Sequence, residues 1–205
     1  MRARLPEIQR RVKAVEDRLV PPERRDIFEQ FGDAVFQLPG VREPHYQGTP
    51  IIELSDHLES LQLSPNKHVG VLGVGLGSSS FAAAAHFDRV TGFEDNAELY
   101  AEAEAIRKSF GIDHVEFRRE DFMSLSLRPF NVIFFFRSFA IGFFQAIAPK
   151  LLDTNPETVI ISGKYMEPEI YDPANFTYFK PLDGWRPDPE FPYFPLAKFY
   201  TFVRK

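Results

Sequence analysis

The chain has 205 residues, a net charge of −5, 44% apolar and 26% charged residues, and no cysteine. That is enough chain for one domain with a real core. The missing cysteines exclude disulfides, thiolate metal sites and thiol nucleophiles, and fit a reducing compartment, so a cytoplasmic location is expected. The acidic balance disfavours a nucleic-acid partner, and no apolar stretch reaches the length of a membrane span.

Charge is uneven along the chain. Residues 1–25 hold eight Lys/Arg and four Asp/Glu, so the remainder carries −9. Those acids, with no Ser-rich stretch, argue against a transit peptide. Leu5, Ile8, Val12, Val15 and Leu19 step by three and four, an apolar helix seam that ends at Pro21-Pro22. Such a helix packs on the body or on a copy of itself, and a homodimer through it is one expectation. A second helix is expected over residues 22–38, with Ile27, Phe28, Phe31, Val35 and Phe36 inward, stopped by Pro39-Gly40. Thr49 suits an N-cap with Pro50 at the first helical position. Ile51, Leu54, Leu58 and Leu61 follow as a third apolar face.

From Lys67 the texture alternates. "HVGVLG" reads as a strand and "SSSFAAAAHF" as a small-residue helix. "RVTGFE" is a second strand, and "NAELYAEAEAIRKSF" a helix that starts at an Asn cap and stops at Gly111. "HVEFRRE" and "FNVIFFF" are strands, "SFAIGFFQAIAPKLL" a helix, and "TVIISG" a fifth strand. Alternation of this kind predicts an α/β fold with a parallel sheet covered on both faces. "FTYFKPL" and "LAKFYTFVRK" predict a C-terminal antiparallel hairpin on its edge. The fold class expected is a doubly wound, mostly parallel seven-stranded sheet. Residues 1–62 form an N-terminal helical extension, and residues 63–205 the ligand-binding core.

Glycine at alternate positions is poor strand material, yet Gly73, Gly75 and Gly77 follow the first strand. In an open parallel sheet that turn lies where ligands bind, and bare backbone admits a close approach. The second strand ends at Glu94, whose carboxylate can accept both hydroxyls of a ribose. After the third strand, Asp121 can accept from an adenine amino group and Phe122 can lie on the ring. The spacing is G-x-G-x-G followed by Ser78, not the G-x-G-x-x-G of a dinucleotide site, so a nicotinamide oxidoreductase is disfavoured. Other readings stand beside these. Glu94 can cap the helix at Asn96, Asp121 can cap a short helix, and Phe122 can be core. The five histidines show no ligand spacing, so no metal site is expected. His45 reads as a loop residue, and Trp185 as a lid or edge anchor.

The three motifs in this order resemble the class I, seven-stranded S-adenosylmethionine-dependent methyltransferases, over residues 46–165 by motif. The resemblance implies S-adenosylmethionine as cofactor. It places Gly73, Gly75 and Gly77 at its methionine part, Glu94 at its ribose, and Asp121 and Phe122 at its adenine, with Leu76 and Asp95 as further cofactor-binding residues. Within that class, "HYQGTP" is similar to the segment ahead of the glycine turn in small non-SET lysine methyltransferases. That likeness implies a cofactor wall made by Tyr46, Thr49 and Pro50. Phe136, Arg137 and Tyr165 are candidates for the substrate mouth, with Phe134 and Phe135 as further aromatic lining. Two departures stand out. Val71 and Leu72 occupy a stretch where the class usually has an acid, and Asn131 opens the fourth strand where Asp is common. These keep a non-catalytic binding module as an alternative. The acceptor is argued by exclusion. Cytosine carbon methylation normally uses a cysteine. Exocyclic-amine and glutamine methylation usually use an Asn/Asp-Pro-Pro-aromatic turn, where this chain has "FFRSF". A protein lysine or a small molecule remains, with lysine ahead.

Overall fold

The computed structural model describes residues 1–19, 48–136, 143–163, 179–181 and 199–204. The expected helix over residues 22–38 lies outside them. Its strands are β1 (His68–Leu72), β2 (Arg89–Phe93), β3 (Val115–Arg118), β4 (Val132–Phe136), β5 (Val159–Gly163), β6 (Phe179–Pro181) and β7 (Phe199–Arg204). The helices described are α1 (Leu5–Leu19), α2 (Ile51–Ser60), α3 (Ser78–Ala83), α4 (Ala97–Ser109) and α5 (Phe143–Leu152). The sheet order is β3-β2-β1-β4-β5-β7-β6. The first five strands are parallel, with Val69 level with Val90 on one side and Val132 on the other. β7 runs antiparallel to β5, and β6 antiparallel to β7, as the alternation and the hairpin pattern predict.

Alternate residues of a strand face opposite sides. Val69, Val71, Val90, Val132, Phe134 and Ile161 join one buried cluster with α1 to α4. Leu72, Phe93, Ile133, Phe135 and Ile160 join a second with Ile147 and Leu151 of α5. Apolar burial on both faces is why these strands read as near-continuous hydrophobic runs. It also places Phe134 and Phe135 in the core on opposite faces, not along a substrate mouth.

α1 docks by its seam. Leu5, Ile8, Val12 and Val15 are buried in the first cluster, against α2, α3 and α4 of the same chain. A dimer through this seam therefore has no apolar stripe left to bury. Polar ties fix both ends of the helix. Arg4 Nη1 donates to the Phe110 carbonyl at 2.7 Å and its guanidinium lies 5.2 Å from the Phe110 ring centroid. Arg2, just ahead of the helix, pairs with Asp56 and Glu59, and Arg18 pairs with Glu102.

Two local expectations change. Pro50, not Thr49, is the N-cap of α2, and the Thr49 hydroxyl bonds elsewhere. α3 stops at Ala83, because Ala85 and His86 donate to carbonyls three residues back and tighten the last turn. The α4 cap is as expected, with Asn96 Oδ1 accepting from the Glu98 and Leu99 amides. No helix among the described residues is long and apolar enough to cross a membrane.

Candidate functional site

β1 has β2 on one side and β4 on the other, so the chain order reverses at β1. The carboxyl ends of strands at such a point form the usual ligand crevice of an open α/β sheet. The glycine turn, residues 73–77, leaves β1 there.

The turn is held in a left-handed path, with φ of 71° at Gly73, 55° at Gly75 and 90° at Gly77. Only glycine takes such angles without strain. The amides of Gly73 and Val74 both donate to the Phe93 carbonyl, at 3.0 and 2.9 Å. Glu94 Oε2 accepts from the Gly75 amide at 2.8 Å, and Oε1 accepts from the Asn96 amide at 3.0 Å. Thus Glu94 does not cap α4 itself. It joins the glycine turn to the residue that does. The side chain is buried, and desolvation raises its pKa above the ordinary carboxylate range, with neighbouring Asp95 adding to the rise and the two amides opposing it. An ionised carboxylate has about four lone-pair positions. Two are used by these amides, so each oxygen keeps capacity for one more donor.

Gly77 is small for a different reason. A Cβ there would sit 2.7 Å from Phe81 and 3.0 Å from Phe117, so core aromatics fill that space. Gly92, in β2, was not singled out from the sequence. A Cβ on it would lie 2.4 Å from Val74 Cγ1, so its bareness lets the turn seat on the sheet. The signal was present in "RVTGFE", since an isolated glycine inside a strand marks a close approach.

The remaining candidates separate. The side chain of Leu76, within the turn, is fully buried in the first cluster. Asp95 is exposed beside Glu94. Asp121 stands past the carboxyl end of β3, exposed, with Oδ1 accepting from the Met123 amide at 2.8 Å as the cap of a 3₁₀ turn. Phe122 is buried in the second cluster, beside Leu72, Phe93 and Phe130. Thr49 is buried and its Oγ1 lies 2.7 Å from Ser79 Oγ of α3. Leu72, one of the two departures, is fully buried core. Asn131 lies at the opposite end of the sheet from the glycine turn. Its Oδ1 accepts from the His68 amide at 2.9 Å and its own amide donates to the His68 carbonyl, stapling β4 to β1. Tyr46, Arg137, Tyr165, His45 and Trp185 lie outside the described residues, as does the side chain of Phe136.

These features define an α/β fold with a glycine turn and a buried carboxylate together at the carboxyl ends of β1 and β2. No family model and no curated protein matches the sequence. Solved structures do match. An RNA methyltransferase from Salinibacter ruber, in complex with S-adenosyl-L-homocysteine, is 22% identical, with a TM-score of 0.56 over 76% of this chain and 91% of that one. A putative RNA methyltransferase from Pyrococcus horikoshii is 17% identical, with a TM-score of 0.58 over 87% and 98%. A ribosomal protein L11 methylase from Lactobacillus delbrueckii subsp. bulgaricus is 15% identical, with a TM-score of 0.56 over 74% and 77%. The chain has the fold of the class I S-adenosylmethionine-dependent methyltransferases.

Proposed function

We propose that this chain is an S-adenosylmethionine-dependent methyltransferase that acts on an amine, a protein lysine ahead of a small molecule. The observation that carries the reading is Glu94, buried at the tip of β2, clasping the Gly75 amide while its oxygens keep capacity for two hydroxyl donors. That donor set suits the ribose of an adenosyl group. Serine at position 78, where a dinucleotide site has its third glycine, suits a cofactor without pyrophosphate.

In this reading the backbone of Gly73, Gly75 and Gly77 lies along the methionine part, Glu94 and Asp95 hold the ribose, and Asp121 takes the adenine amino group. Leu76 contributes through its backbone. The burial of Phe122 favours a supporting place under the adenine pocket over a stacked one. Tyr46 and Thr49 bound the site from the segment ahead of α2, and Phe136, Arg137 and Tyr165 lie toward the acceptor. The bound cofactor supplies a sulfonium methyl, which an unprotonated amine displaces as the carbon–sulfur bond breaks. The protein's own part is alignment and exclusion of water. A dry mouth disfavours the charged form of an amine and so favours the attacking one.

RNA is the second reading. The expectation against nucleic acid rests on net charge and on the missing cysteine and Pro-Pro turn, while two of the similar structures are named as RNA methyltransferases. The test is transfer of labelled methyl from S-adenosylmethionine to a cell extract, with nuclease-treated, protease-treated and small-molecule fractions counted separately. Label that survives nuclease and is lost to protease supports lysine. Label lost to nuclease supports RNA. Label in the small-molecule fraction alone supports a small-molecule acceptor, and label in no fraction, despite measured cofactor binding, leaves a binding module.

A further inference from the structure

The glycine turn is held by Glu94 and by the seat at Gly92. We propose that Thr49 and Ser79 are positioning residues that brace it from the segment entering α2, so that this hydroxyl pair, without touching the reacting atoms, holds the turn in its ligand-ready shape. The proposal rests on reading the turn as the cofactor site.

Ser79 is the second residue of α3 and stands two places after Gly77, the last glycine of the turn. Of the three consecutive buried serines, Ser78 and Ser80 have hydroxyls with no partner among the described residues. Only the middle hydroxyl is bonded, and its partner comes from another segment of the chain, the one entering α2. The contact is 2.7 Å long, with Thr49 7% and Ser79 2% exposed. Water does not readily replace either partner at that burial, so deleting one hydroxyl orphans the other.

α2 is a rigid backing for this contact. A second clip, Ser55 Oγ to His86 Nε2 at 2.8 Å, repeats the tie farther along both segments and sets α2 and α3 side by side in one register. His57 Nε2 meets Thr201 Oγ1 of β7 at 2.9 Å, and Arg2 binds Asp56 and Glu59 on the outer surface. With α2 tied to three neighbours, loss of the Thr49–Ser79 contact frees the start of α3 and the turn feeding it. It does not free α2.

The test uses the full chain and three variants, Thr49→Val, Thr49→Ser and Ser79→Ala. Amide hydrogen exchange is followed over residues 73–80 in the ligand-free protein, and S-adenosyl-L-homocysteine is then titrated by calorimetry. One ordinary hydrogen bond corresponds to about a fivefold effect. Thr49→Val is expected to speed exchange in that segment by about this factor and to weaken binding similarly, and Thr49→Ser to restore both. The double variant Thr49→Val with Ser79→Ala is expected to be no worse than either single change. If Thr49→Val does not fold, Ser79→Ala carries the same comparison. Lowered melting temperature with unchanged exchange at residues 73–80 overturns the proposal and leaves the pair as a tie between helices. Accelerated exchange in a protein whose wild type binds no S-adenosyl-L-homocysteine upholds the brace and sinks the cofactor reading instead.

Discussion

Glu94 Oε2 accepts the Gly75 amide proton at 2.8 Å, so the tip of β2 and the turn after β1 form one polar unit before any ligand arrives. One carboxylate thereby has two duties, holding the turn and presenting acceptors. Replacing it disturbs both.

Glu94→Ala is expected to weaken S-adenosyl-L-homocysteine binding by about 1.5–3 kcal/mol, the scale of charge-assisted hydrogen bonds, in a protein that still folds. Calorimetry on the folded variant checks this, and unchanged affinity would reduce Glu94 to a structural link.

The same carboxyl predicts a pH dependence. Burial raises its folded pKa above the ordinary value. Its stabilising contribution is therefore present below the unfolded pKa and lost as pH rises through the folded one. In urea unfolding, the stability of wild type relative to Glu94→Gln should fall as pH is raised from 4 toward 7. Cofactor affinity should move the other way and weaken as pH is lowered through the raised pKa, because the protonated acid has fewer acceptors. Parallel pH profiles for wild type and Glu94→Gln would contradict this.

The glycines should divide by mechanism. Gly77→Ala and Gly92→Ala each place a methyl against core or turn atoms, within 2.7 Å of Phe81 and 2.4 Å of Val74 respectively. Each should destabilise folding by about 1–3 kcal/mol. Gly75, at φ 55°, should tolerate Asn better than Val, since Asn visits the left-handed region more readily. Denaturant midpoints for the four variants give the ranking, and equal loss for Asn and Val at position 75 would count against it.

Asn131 should matter to stability and not to cofactor. Asn131→Ala removes the acceptor for the His68 amide, worth about 1 kcal/mol. Binding of S-adenosyl-L-homocysteine should be unchanged, because the residue stands at the far end of β1. A marked loss of affinity in the folded variant would place a ligand contact where the strand geometry puts none.

Deletion of residues 1–19 should abolish folding. Leu5, Ile8, Val12 and Val15 are buried in the main cluster, and each buried aliphatic side chain contributes about 1.5–3 kcal/mol. Their sum is comparable with the whole stability of an ordinary domain, about 5–15 kcal/mol. A soluble, cooperatively melting truncated chain would show that α1 is an appendage.

The order of elements was legible in the chain because it rests on local signals. Apolar steps of three and four marked α1, short apolar or alternating runs marked β1 to β5, and Asn96 and Gly111 bracketed α4. The glycine turn and the acid at the tip of β2 were legible for the same reason, being fixed in sequence distance from their strands. What faces what was not. Thr49 has the chemistry of a cap, and only packing of α2 on α3 turns its hydroxyl to Ser79. Phe134 and Phe135 are adjacent and identical, yet lie on opposite faces of the sheet. Asn131 looked like a defect in the ligand site, and parallel pairing with β1 carries it to the other end of the strands. The seam of α1 would serve a partner copy or the chain's own body equally well by periodicity. The body takes it, because α2, α3 and α4 present a complementary apolar surface within the same chain. Burial and partner choice depend on residues far apart in sequence, and local periodicity carries no information about which of them meet.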